Sequence, residues 1–229
     1  MTRIGVLASG GGSNLQALLD YLDALGSAAP AQVVFVGSDR GDALALQRAT
    51  SRGIATAVLT DPTDGTALLA ALDEQRADLL VLAGYVKLVP AAVTRRFRGA
   101  IVNVHPALLP KFGGAGMYGR RVHEAVIAVG DHESGATVHF VNDEYDRGAP
   151  LARAIVPVHA GDTPATLAER VLAAEHVLFP RAIHALAVGL VSLADNGTVV
   201  LNTDLAATHP IENHSSQRIV FDTHPSFQI

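Results

Sequence analysis

The chain has 229 residues, 49% of them hydrophobic and 17% charged, and its 17 lysines and arginines against 22 acids leave a formal net charge of −5. That balance excludes disorder for the bulk, since a chain this long and apolar can bury most of its surface in one core. No cysteine occurs, which excludes disulfide frameworks and zinc ribbons. Without a run of lysine and arginine no nucleic-acid partner is expected, because duplex binding depends on clustered cations.

Met1-Thr2-Arg3 leads straight into a short apolar run. That run is too short for a signal h-region, and no apolar run reaches about eighteen residues, so the expectation is a soluble, cytoplasmic chain with no membrane partner. The runs 4–8, 33–37, 56–59, 79–83 and 100–104 read as strands, most of them continuously apolar as suits strands covered on both faces. Between them 14–25, 42–52, 65–75 and 91–97 carry helical period. The predicted class is therefore α/β, a mostly parallel open sheet with helices on both faces.

Ser9-Gly10-Gly11-Gly12-Ser13-Asn14 sits between the first strand and the first helix. Unpaired backbone N–H groups and the positive dipole end meet there, so the loop suits an anion such as a phosphate. It is not a Walker A loop, since no lysine follows the last glycine, and Leu15 spoils the dinucleotide fingerprint. A tight turn that only packs helix on sheet is the plain alternative, yet each glycine adds entropy to be lost on folding.

Asn103-Val104-His105-Pro106 begins at the carboxyl end of the fifth strand, where open α/β sheets place ligands. At alternate positions Asn103 and His105 point to the same side. An amide that donates to a developing oxyanion and an imidazole that exchanges a proton suit attack on a carbonyl-like carbon. Asp146 is the natural partner to orient His105 and raise its pKa. A core histidine and a turn aspartate remain alternatives, as does a divalent metal held by His105, His139 and Asp146. With no His-Glu-x-x-His and no close ligand cluster, no metal site is expected.

Further on, a glycine-rich loop at 112–119 precedes a helix at 120–129. The runs 135–141 and 151–158 look like paired strands joined by a polar loop over 142–148. Thr163-Pro164 opens a long helix through about 187, which Pro180 should kink. Asp195-Asn196-Gly197 marks a hairpin between 190–193 and 198–201. The expected organisation is one domain over 1–201, closed by C-terminal antiparallel strands, and a tail over 202–229 of no assigned role, polar and aperiodic, that lies on the surface or is partly disordered.

These motifs resemble the phosphoribosylglycinamide formyltransferase family. The resemblance rests on the glycine loop, Leu82-Ala83-Gly84-Tyr85, Asn103 to Lys111, Gly135-Ala136-Thr137-Val138-His139-Phe140-Val141, Asp146-Arg147-Gly148 and Glu175-His176, in family order. It implies a formyltransferase-type Rossmann-like fold and transfer of the formyl group of 10-formyltetrahydrofolate to the amine of phosphoribosylglycinamide. No metal is implied, and the chain would be a monomer or homodimer. Asn103, His105 and Asp146 would be catalytic. Gly11, Gly12, Ser13 and Asn14 would hold the substrate phosphate, and Glu175 its ribose. Val86, Lys87, Leu88, Val89, Asn103, Asn142, Asp143 and Asp146 would receive the folate. Lys87 stands where an arginine is usual, and 61–66 carries no cation.

Other formyl-folate enzymes, a formyltetrahydrofolate hydrolase or a methionyl-tRNA formyltransferase, share an Asn-x-His and a distant Asp. The glycine loop favours the glycinamide enzyme, and the chain has neither the charge nor the length for an RNA-contacting domain. A non-catalytic phosphosugar-binding module, and a dehydrogenase using Asp39 as its ribose acid, are the alternatives from other classes.

Overall fold

The computed structural model describes residues 1–202 and 218–221. Two compact units divide the chain. One comprises residues 1–103 and 141–144, the other 104–140 together with 145 onward.

In the first unit, β1 (Thr2–Leu7), β2 (Ala31–Ser38), β3 (Ala55–Val58), β4 (Leu79–Leu82) and the start of β5 (Ile101–His105) lie in the order β5-β4-β1-β2-β3. All their pairings are parallel. The connecting helices are α1 (Ser13–Leu25), α2 (Leu44–Thr50), α3 (Gly65–Glu74) and α4 (Ala91–Arg96). Every residue of β4 is buried. Leu80 and Leu82 join a core with Leu68, Leu72, Val93 and Phe97 from the α3–α4 side, while Leu79 and Val81 must point the other way. Both faces of β4 are thus covered, which is why its sequence reads as an unbroken apolar run.

The second unit holds α5 (Arg120–Val129), β6 (Glu133–Phe140), β7 (Pro150–Pro157) and α6 (Pro164–Ala187). It also holds a hairpin of β8 (Val191–Leu193) and β9 (Val199–Leu201), which pair antiparallel as their own two-stranded sheet. Thr163 caps α6, its hydroxyl accepting from the Thr166 N–H at 3.2 Å, with Pro164 at the first helical position. The helix runs on through Pro180, one continuous element of 24 residues.

The tail departs from the sequence expectation. Its residues 218–221 form β10 (Arg218–Phe221), antiparallel to β7, with Ile219 opposite Ala154. A sheet edge exposes a row of unpaired backbone groups, and this short segment meets them. The rest of the tail lies outside the described residues.

Candidate active site

In the first unit the strand order reverses between β1 and β4, and ligands of open α/β sheets collect outside the carboxyl ends at such a switch point. The glycine loop leaves β1 there, and the segment after β4 is tied to it. Ser9 N–H donates to the Gly84 carbonyl at 3.1 Å, and Val86 N–H donates to Ser9 Oγ at 3.1 Å.

Of the three glycines, only Gly12 is demanded by the fold. It sits at φ +68°, and a Cβ there would lie 2.8 Å from Ala45 Cα and Cβ. Gly10 and Gly11 face open space. Arg48 braces the loop, its Nε donating to the Gly11 carbonyl and its Nη1 to Gln16 Oε1, both at 2.9 Å. Arg48 is a cation beside the loop that the sequence did not single out. Asn14 is buried and Ser13 half-buried at the start of α1.

The folate-side expectations divide. Val86 and Leu88 are exposed apolar side chains, 37% and 43% accessible, with exposed Lys87 between them. Val89 is buried in the core with Tyr85 and Val93. Asn142 Oδ1 accepts from Glu144 N–H at 3.0 Å, and Asp143 is pinned to α4 by a hydrogen bond from Thr94 Oγ1.

Asn103 and His105 occupy alternate positions of β5, Asn103 half-buried and His105 only 4% exposed. Within the second unit His105 Nδ1 lies 3.5 Å from Asp146 Oδ2, and its Nε2 lies 2.8 Å from the Phe112 carbonyl. A carbonyl only accepts, so Nε2 carries a proton and Nδ1 is the basic nitrogen of the neutral ring. Asp146 stands at φ +55°, a conformation that Asp and Asn tolerate best among non-glycine residues. Its Oδ2 accepts from Gly114 N–H at 2.9 Å, and its Oδ1 lies 3.5 Å from His139 Nε2.

Two of these neighbours escaped sequence reasoning. His139 entered as a metal-ligand alternative and as part of the resemblance motif, without a role at Asp146, whereas it flanks the carboxylate opposite His105. Phe112, at φ +55° before Gly113, supplies a main-chain oxygen that no residue type announces. The alternation in Thr137-Val138-His139 was the available signal for His139. Among the described residues no group of three or more His, Asp or Glu has metal-holding geometry.

Electrostatics correct a second expectation. Burial dominates at His105 and holds its pKa below the ordinary imidazole value of 6.5, although the Asp146 charge and the Phe112 carbonyl pull it upward. Asp146 does attract the proton, but it does not win. Burial also pushes the Asp146 carboxyl upward, yet His139, His105 and the Gly114 N–H together keep it below its usual 3.8. Burial thus disfavours the imidazolium at His105, while the donors around Asp146 favour its carboxylate.

Glu175 is buried in the middle of α6, and burial lowers the pKa of its neighbour His176.

The first unit carries a glycine loop where its parallel sheet reverses at β1/β4, the second a buried His–Asp pair, and each is a feature that group-transfer enzymes use. Residues 2–183 match the formyl transferase family model, and the chain belongs to that family. Among its relatives is the chloroplastic phosphoribosylglycinamide formyltransferase of Arabidopsis thaliana, 37% identical over 87% of this chain and 70% of that protein. The trifunctional purine biosynthetic protein adenosine-3 of Bos taurus is 38% identical over 88% of this chain, which spans 20% of its length. The crystal structure of phosphoribosylglycinamide formyltransferase from Anaplasma phagocytophilum superposes with a TM-score of 0.79. It is 36% identical, with 88% of this chain and 94% of that one covered. Among the described residues no helix is long and apolar enough to cross a membrane.

Proposed function

We propose that the chain transfers the formyl group of 10-formyltetrahydrofolate to the amine of phosphoribosylglycinamide, with residues 1–201 as its catalytic region. The observation that carries this reading is the buried His105–Asp146 pair two positions beyond Asn103 on β5. The names of the relatives support the substrate.

In this reading the neutral substrate amine attacks the formyl carbon, forming a C–N bond as the formyl oxygen becomes negative. Asn103 and the His105 Nε2–H donate to that oxygen. For this the Nε2–H must leave or share the Phe112 carbonyl, an adjustment common between free and substrate-bound sites. The proton shed by the amine leaves through a water bound to the Asp146 carboxylate, which serves as the relay. Breaking the bond to the folate nitrogen returns that proton to the leaving group.

Gly11, Gly12, Ser13 and Asn14 hold the phosphate in this reading, and Glu175 meets the ribose. Gly10 and Gly11 have no steric need to be glycine within the protein, which supports a backbone kept open for a ligand. Val86, Lys87 and Leu88 offer the exposed part of the folate side, with Val89 behind them and Asn142 and Asp143 on the loop before Asp146.

The test is an absorbance assay for loss of the formyl group from the folate donor, with and without the phosphoribosyl amine. Acceptor-dependent loss that disappears in His105→Ala is expected, with substrate binding kept. Acceptor-independent loss would identify a hydrolase. Binding of the phosphosugar with no turnover in the unmodified chain would identify a binding module.

A further inference from the structure

In the first unit all three carbonyls of the glycine loop are held by donors of the protein. The Gly10 carbonyl accepts from the Ala45 N–H of α2 at 3.2 Å, and the Gly12 carbonyl from the Gln16 N–H of α1 at 2.9 Å. Between them the Gly11 carbonyl accepts from Arg48 Nε at 2.9 Å. In a planar trans peptide a C=O and the N–H that follows it point opposite ways. The N–H groups of Gly11, Gly12 and Ser13 are therefore turned away from those donors, and among the described residues none of the three donates to a protein acceptor.

Backbone alone fixes the outer two of these peptides, whereas the middle one, Gly11–Gly12, is fixed by a side chain. A Cβ at Gly11 would face open space, so no neighbour restrains the residue. Glycine crosses between backbone basins at little steric cost. Without Arg48 the Gly11–Gly12 peptide is free to turn its carbonyl outward, and an anion in the loop would meet an oxygen in place of an N–H.

Arg48 is also a cation without an acid. Arg40 pairs with Asp42, and Arg52 with Asp20 and Asp23. Arg48 Nη1 donates instead to the neutral Gln16 Oε1 at 2.9 Å, and Gln16 Nε2 donates onward to Asp20 Oδ1 at 2.7 Å. Its charge thus lies unpaired beside the loop, in a chain whose segment 61–66 has no cation.

We propose that Arg48 is the positioning residue of the phosphate cradle, holding the Gly12 N–H outward and lending its charge to the bound dianion. This rests on the reading that the loop grips the substrate phosphate. Arg48 acts through the loop, so its loss should appear in affinity and spare the chemical step.

The probe is ribose 5-phosphate, titrated into the full chain by calorimetry while the Gly12 amide is followed by nitrogen–proton NMR. The unmodified chain should bind it and shift the Gly12 signal. Arg48→Met should weaken binding by about 10- to 100-fold, the worth of the Gly12 N–H bond to a charged oxygen, and leave that signal unshifted. Arg48→Lys keeps the charge without the fork of donors, so it should remain about three- to tenfold weaker than the native chain. In the formyl-transfer assay Arg48→Met should raise KM for the phosphoribosyl amine by a similar factor, with kcat held within about threefold. Near-native affinity in Arg48→Met, a Gly12 amide that still shifts, or a loss confined to kcat overturns the role of Arg48 and leaves the cradle reading standing. Failure of the unmodified chain to bind ribose 5-phosphate overturns the cradle reading and the proposal with it. If Arg48→Met fails to fold, Arg48→Lys decides, since an affinity equal to the native one overturns the proposal.

Discussion

Asp146 holds two jobs that substitution can separate. Its backbone adopts φ +55° and its Oδ2 accepts from Gly114 N–H, which shapes the loop, while its charge faces two imidazoles. Asp146→Asn keeps the left-handed preference and an oxygen for Gly114 but removes the charge. Asp146→Ala loses all three. For Ala, the backbone costs about 1–2 kcal/mol and the orphaned N–H about 1–3 kcal/mol. Together these lower the melting temperature by on the order of 10 °C for a chain of this size. Asn should melt within a few degrees of the native chain. Its rate should nonetheless fall by about 10²–10⁴, because the site loses the group that orients His105 and favours its protonation. Scanning calorimetry and kcat/KM for acceptor-dependent formyl transfer measure the two effects. An Asn variant with near-native kcat/KM, or one as unstable as Ala, would refute this division of labour.

Gly12→Ala forces an L residue to φ +68° with its Cβ 2.8 Å from Ala45. It should destabilise by about 1–3 kcal/mol and raise KM for the phosphoribosyl amine more than it lowers kcat, as steady-state kinetics and thermal melts would register. Gly135→Ala places a Cβ 1.9 Å from the Ala154 carbonyl, across the β6–β7 ladder. A loss above about 4 kcal/mol is expected, and a soluble variant with a native melt contradicts it. His105, His123 and His176 all have pKa values held below 6.5, with burial the largest cause in each. The unfolded chain then binds more protons than the folded one as pH falls through 6.5, so stability should drop progressively below that pH and be flat above it. Urea melts between pH 5 and 8 decide this, and a stability that rises on acidification contradicts it.

The parallel strands were legible because burial on both faces writes itself into sequence as unbroken apolar runs, as in Leu79–Leu82. Ends were less so. The helical period at 42–52 resolves to α2 over Leu44–Thr50, since Asp42 pairs with Arg40 in the turn before it. The strand Arg218–Phe221 was missed because four residues carry too little pattern to register, and its pairing comes from the edge of β7. At the candidate site, the approach of Asp146 to His105 was the expectation that the structure meets, since a polar loop after β6 offers a carboxylate to the end of β5. Nothing in residue identity reveals that a Phe112 carbonyl caps the imidazole, because main-chain oxygens are the same at every position.

The direction of the His105 shift is where sequence and structure part most usefully. Counting charges alone, an aspartate beside a histidine implies imidazolium, and that implication assumes water around the pair. Here the ring is 4% exposed and the carboxylate side chain 10%, so desolvation opposes the charged form before Asp146 acts on it. Asp146 pulls the other way, its charge 3.5 Å from the ring with little water to screen it. Burial and countercharge thus oppose one another at His105: burial lowers the imidazole pKa, the carboxylate raises it, and burial is the larger cause.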